Sequence, residues 1–215
     1  MRALRYDRPA LMTRRSNRNT GVRARIAAAA ARLMAEDGID DFALAKRKAA
    51  RQLGADEREG LPANDEIEAE LEAYRALYQA EEHPHRIAEL RAVALEAMAA
   101  LEHFRPYLTG PVLTGLAGPH AQIELELFPE SAKELEIFFM DRGLPFTTRE
   151  GRRFSGGRSH PVSEFSLTWE GVPLRISALD PRDERVALKT TQGGRARERA
   201  GISEVRKMLL TPAKR

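Results

Sequence analysis

The sequence predicts an α+β protein: an N-terminal helical region, then a small mixed β-sheet with helices on one face. Three observations predict it. Up to about residue 105 the apolar residues recur at helical spacing, in a stretch rich in alanine. From Tyr107 onward the texture turns to short alternating runs punctuated by glycine and proline. Aromatic residues are only 6% of the chain, which with abundant alanine favours helices over a β-sandwich.

Residues 1–20 read as a disordered basic tail. Thr20-Gly21 opens the first helix, whose stripe is Ile26, Ala30, Leu33 and Met34, and Gly38 closes it as a C-cap. Asp40 or Asp41 caps a second helix through Phe42, Leu44, Ala45, Ala49 and Leu53, ended by Gly54. After a polar loop from Ala55 to Ala63, Asn64 caps a third helix along Ile67, Leu71, Tyr74, Leu77 and Tyr78. Pro84 starts a fourth, with Ile87, Leu90, Val93, Ala94, Leu95, Met98 and Leu101 as its apolar face, and Pro106 ends it. These helices make a region spanning 21–105, followed by an α+β domain over 106–215.

Within that domain, Tyr107 to Thr109 is a short strand and Gly110 to Gly118 a turn region. Ile123 to Phe128 alternates apolar and acidic residues, the period of a half-buried strand. Ser131 caps a helix through Leu135, Ile137, Phe138 and Met140, stopped by Gly143. Phe146 to Thr148 reads as a strand, and Gly151 to Pro161 as a basic loop or hairpin tip. Phe165 to Trp169 and Val172 to Leu179 flank Glu170-Gly171, a hairpin signal. The tail from Asp183 reads as helical.

Composition removes several classes of function. The 215 residues contain no cysteine, so disulfides, thiolate metal sites and cysteine nucleophiles are excluded. No apolar run approaches the roughly 18 residues of a membrane span, and no signal-peptide core is present, so a cytoplasmic protein without membrane contact is expected. The net charge of +3 hides an asymmetry: Met1 to Arg25 holds eight arginines and one acid, Asp7. Such polarity steers anionic partners to one end.

One segment points to chemistry. Leu108 to Leu125 reads Leu-Thr-Gly-Pro-Val-Leu-Thr-Gly-Leu-Ala-Gly-Pro-His-Ala-Gln-Ile-Glu-Leu. It resembles the signature of the polymerase-β-like nucleotidyltransferase superfamily: a strand ending in Gly-Ser, a short helix with a further glycine, and a strand carrying two acids one residue apart. Gly110 and Gly115 stand at the two glycines, and Gln122-Ile123-Glu124 at the acidic triplet. The resemblance implies transfer of a nucleotidyl group from a nucleoside triphosphate to an acceptor, with Mg2+ at the α-phosphate. It assigns metal and catalysis to Glu124 as the second acid, and a shifted register, Glu124-Leu125-Glu126, adds Glu126 as a same-face partner, since residues two apart on a strand point the same way. Gly110, Gly115, His120, Gln122, Arg152 and Arg153 become the nucleotide-binding set. The sequence departs from the signature where Pro111 replaces the serine, Gln122 the first acid, and Arg175 stands where a third acid is expected. Those departures raise an alternative: a non-catalytic RNA- or ribosome-associated protein on a degenerate copy of the fold.

Lys46, Arg47, Lys48 and Arg51 form a basic cluster on the second helix, a candidate nucleic-acid contact together with the arginine-rich start. The helix–Gly38–helix unit also resembles the opening of TetR-type DNA-binding domains. Arg149, Arg152, Arg153 and Arg158 around Phe154 combine charge with a stacking ring. Ser159, His160 and Asp180 lack the Gly-x-Ser-x-Gly elbow that would make them a hydrolytic triad.

Overall fold

The computed structural model describes residues 10–39, 41–55, 60–155, 158–189 and 197–210, with side chains from residue 21 on. The chain divides into two compact units, residues 1–79 and 80–215. The first holds α1 (Ala10–Glu36), α2 (Phe42–Gln52) and α3 (Asn64–Tyr78). The second holds α4 (Glu82–Ala100), α5 (Gly110–Thr114), α6 (Ala132–Asp141) and α7 (Ile202–Leu210), with β1 (Tyr107–Thr109), β2 (Ile123–Leu127), β3 (Phe146–Ser155), β4 (Arg158–Trp169) and β5 (Val172–Ala178).

In the first unit, α1 starts ten residues before the Thr20 start read from the sequence. No proline or glycine interrupts Ala10 to Thr20, and Gly21 is carried inside the helix at a cost of about 1 kcal/mol. The tail expected before residue 10 lies outside the described residues. Ile26, Ala27, Ala30, Ala31, Met34 and Ala35 are buried against Ala45, Ala49 and Ala50 of α2 and Ile67 and Leu71 of α3. Small side chains let the helices approach closely. Asp41 caps α2 by accepting from Ala43 N at 2.7 Å and Leu44 N at 3.3 Å; Asp40 lies outside the described residues. At α3 the N-cap position is Ala63, whose N–H donates to Glu66 at 2.6 Å, and not Asn64, the first helical residue, whose Oδ1 accepts from Lys46 at 2.7 Å.

In the second unit the strand order is β1-β2-β5-β4-β3. The β2–β5 pair is parallel and the others antiparallel. One face carries the main core. Ile123, Leu125 and Leu127 of β2, Leu174 and Ile176 of β5, and Phe165 and Leu167 of β4 pack with Leu90, Ala94, Met98 and Leu101 at α4, Leu135 and Phe139 of α6, and Val205 of α7. Each large side chain buried there is worth about 1.5–3 kcal/mol. That packing is why α4 falls into the same compact unit as the sheet and not with the helices before it.

Two sequence expectations change. Of the two readings for Gly151 to Pro161, a loop or a hairpin tip, the hairpin holds and is longer than expected: β3 and β4 stay paired from Phe146–Leu167 out to Ser155–Arg158. The polar inward residues hid the strand period. Of the tail expected to be helical from Asp183, Ile202–Leu210 is α-helix, whereas residues 184–189 and 197–201 are not, and residues 190–196 lie outside the described residues. A 3-10 turn stands at Pro181–Asp183, Lys189 bridges to Phe154 of β3, and Ala200 pairs with Leu108 of β1 at 2.8 and 3.0 Å.

Candidate functional site

Strand alternation sends Glu124 and Glu126 to the face opposite the main core. The register then builds two rows across that face. One runs Thr109, Glu124, Arg175, Ser166, Thr147, and the other Tyr107, Glu126, Ser177, Glu164, Arg149. A small second core of Phe128, Val162, Leu179 and Leu188 lies beside them.

The backbone at residue 110 folds back onto Glu124. Gly110 has φ +70°, and a Cβ there would sit 2.8 Å from both Cδ and Oε2 of Glu124. Only glycine meets both the left-handed backbone and the close approach. Two expected partners therefore come together. Gly115 ends α5 in the left-handed region at φ +78°. Arg91 caps the carbonyl end of that helix, donating to Val112 O at 3.1 Å and Leu113 O at 2.7 Å. Burial lowers the Arg91 pKa below its ordinary value.

The hollow beside Gly110 is filled by arginines from elsewhere in the chain. Arg175 Nη2 donates to Glu124 Oε1 at 2.5 Å, and Arg197 Nη2 donates to Glu124 Oε2. The same Arg197 nitrogen donates to Thr109 Oγ1 at 2.8 Å. Arg199 Nε lies 2.8 Å from Glu126 Oε2, and Arg197 Nε lies 3.8 Å from Glu126 Oε1. The Glu126 side chain is only 1% exposed, and neither of its oxygens receives a well-angled hydrogen bond, so distance alone makes these ion pairs. Arg199 is held in turn by Glu184 O at 2.9 Å and Val186 O at 2.7 Å.

This donor set does not suit Mg2+. A hard cation needs free carboxylate oxygens, and both oxygens of Glu124 already face guanidinium groups. No group of three or more acids or histidines poised for a metal occurs among the described residues.

The remaining candidates separate. His120 is exposed and Gln122 half-buried, and among the described residues neither is bonded to Glu124. Arg152 is exposed, whereas Arg153 is buried and serves the sheet. It donates to Glu164 Oε1 at 3.1 Å and Ser177 Oγ at 2.8 Å. Arg149 joins the same glutamate through Nε at 3.1 Å. Burial pushes the Glu164 carboxyl up, but bonds and charge from Arg149 and Arg153 outweigh it and hold the pKa below the ordinary value. His160 pairs with Asp183 at 2.9 Å, while Asp180 accepts from Arg182 N at 2.8 Å, so no triad forms.

On α2, Lys48 is paired with Asp37 at 3.0 Å and Lys46 is bonded to Asn64. Desolvation lowers the Lys46 pKa. Arg47 and Arg51 are exposed and have no partner among the described residues. A shallow hollow of about 350 Å³ lies on β3 and β4, lined by Pro145, Phe146, Thr147, Ser166, Leu167 and Thr168. It offers hydroxyls and no ionisable group.

Sequence reasoning missed Arg197 and Arg199. The signal was present: Arg197-Glu198-Arg199-Ala200 places two arginines at period two, the spacing of an extended segment with one cationic edge. Comparison of the chain with protein-family models, with curated proteins and with solved structures finds no match.

Proposed function

We propose that the chain is a nucleotidyltransferase-like protein without metal-dependent transfer activity, acting as a non-catalytic, RNA-associated binding protein. The observation that carries the reading is the pairing of Glu124 with Arg175 and Arg197. A guanidinium neutralises the carboxylate as a metal would, but it cannot polarise a phosphate as a Lewis acid or lower the pKa of a bound water. The RNA side rests on Arg47 and Arg51, four residues apart on one helix face, and on the eight arginines before residue 26.

The rival reading is nucleotidyl transfer from a nucleoside triphosphate with Mg2+. It draws on the close approach of Gly110 to Glu124. Radiolabelled nucleoside triphosphates incubated with Mg2+ or Mn2+ separate the two, because the proposal expects no transfer to any acceptor. RNA affinity is expected to fall steeply with salt, and replacing Arg47 and Arg51 by alanine to lower the salt slope by about one unit per charge. Metal-dependent transfer, or RNA association indifferent to salt, sinks the proposal.

A further inference from the structure

We infer that the free edge of β3 is a self-complementary interface through which two copies of this chain pair strand to strand. The inference stands independently of the RNA reading. The sheet has two edges. At the β1 edge, Leu108 exchanges both backbone bonds with Ala200. At the β3 edge, the described residues supply only Lys189, which exchanges bonds of 2.9 and 3.0 Å with Phe154.

That one bridge fixes which groups point outward. In an antiparallel pair, alternate residues turn their N–H and C=O toward the same neighbour. Phe154 spends both on Lys189, so Arg152, Glu150, Thr148 and Phe146 present theirs to the side where no other described residue pairs with β3. Thr147 to Glu150 are all exposed, and pairing with β4 continues through them without a bulge. A straight edge with unpaired backbone groups is a template for another strand.

The side chains then select the register. Two copies related by a two-fold axis must oppose residues of the same face. A register centred on Arg149 sets arginine against arginine, and one centred on Glu150 sets glutamate against glutamate; both are penalised. A register centred on Gly151 brings Phe154 of one copy against Thr148 of the other, where Lys189 already sits. Centring on Thr148 has neither fault. Threonine meets threonine, Phe146 meets Glu150, and Thr147 meets Arg149. Thr148 and its flanking pairs supply about six backbone hydrogen bonds, with no like charges opposed. Charges on this edge penalise the registers toward the hairpin tip. A register centred on Thr147 opposes no like charges but aligns only Phe146 with Thr148, about four backbone bonds, because Leu144 N already donates to Phe139 O.

The chain has no cysteine, which makes the test clean. The wild-type chain is expected to sediment as a dimer at about 100 µM. In Thr148→Cys the two thiols face each other with Cα atoms about 5.5 Å apart, inside the disulfide range. Under diamide it is expected to give a covalent dimer roughly tenfold faster than Glu150→Cys, whose thiols lie on opposite sides of the axis. Thr148→Lys, checked for folding by circular dichroism, is expected to be monomeric. A monomeric wild-type chain at that concentration overturns the inference and leaves the edge to a different partner. Equal crosslinking of the two cysteine variants overturns the register and the interface with it.

Discussion

One face of the sheet is covered by helices and the other carries a network of paired charges, and the contrast separates two ways of burying side chains on a β-sheet. On the helix side, Leu125, Ile176, Phe165 and Phe139 belong to one buried apolar cluster. Their burial is non-directional, so each residue contributes mainly by its area. On the opposite face, Glu126, Glu164, Arg153 and Ser177 are also buried, but each depends on particular partners. Desolvating a charge costs several kcal/mol and is offset only by good pairing. The apolar face is therefore tolerant in kind, and the charged face is intolerant of losing one member.

Two substitutions of comparable size probe that contrast. Phe139→Ala is expected to cost about 3–5 kcal/mol through lost transfer energy and a residual cavity. Arg199→Ala, which removes less apolar area, is expected to cost about 3 kcal/mol because it leaves Glu126 buried without its nearest cation. Urea unfolding measures both. The distinguishing arm is Arg199→Met with Glu126→Leu, which removes both charges and recovers most of the loss. A double variant as unstable as Arg199→Ala would show that the pair acts through shape and not charge.

A smaller effect is expected at the turn between the faces. Gly110→Ala combines a left-handed backbone with a Cβ driven into Glu124, and is expected to cost about 2 kcal/mol. Glu124→Ala in the same chain removes the clash but not the backbone cost, so a double-mutant cycle in urea should show partial relief. Strict additivity would mean that the two residues do not touch.

Much of this was legible from the amino acids. The stripe Ile87, Leu90, Ala94, Met98 on α4 and the alternation Ile123, Leu125, Leu127 on β2 carry single periods over a whole element. Apolar burial writes itself into the sequence as period. The charged face is less legible because a buried arginine looks like an exposed one until its partner is known. Arg153 and Arg152 are adjacent and chemically identical, yet one is bonded to Glu164 and the other is exposed. The same ambiguity left the arm of β3 and β4 between a loop and a hairpin tip. The period-two spacing of Arg197 and Arg199 marks an extended cationic edge but not its partner, because Arg197 reaches Glu124 across 73 residues of sequence. The candidate site was thus half visible: Gly110 and Glu124 were placed together, and their arginine partners were not.

The smallest effect concerns acid. The folded pKa of Glu164 lies below its ordinary value of 4.5 because Arg149 and Arg153 hold it ionised. A depressed carboxylate contributes stability that is fully present above the unfolded value and is lost as pH falls through the folded one. Stability of the wild-type chain should therefore decline below about pH 4.5 more steeply than that of Glu164→Gln. Parallel profiles in urea titrations across that window would remove Glu164 from the account.

The most direct test of the charged face is titration of the intact chain with Mn2+, followed by electron paramagnetic resonance of the free ion. With Glu124 and Glu126 already neutralised by Arg175, Arg197 and Arg199, no Mn2+ should be taken up at these carboxylates up to about 1 mM, a weak-binding limit of roughly −4 kcal/mol. Stoichiometric uptake that disappears in Glu124→Gln would contradict the account and return the chain to the metal-dependent reading.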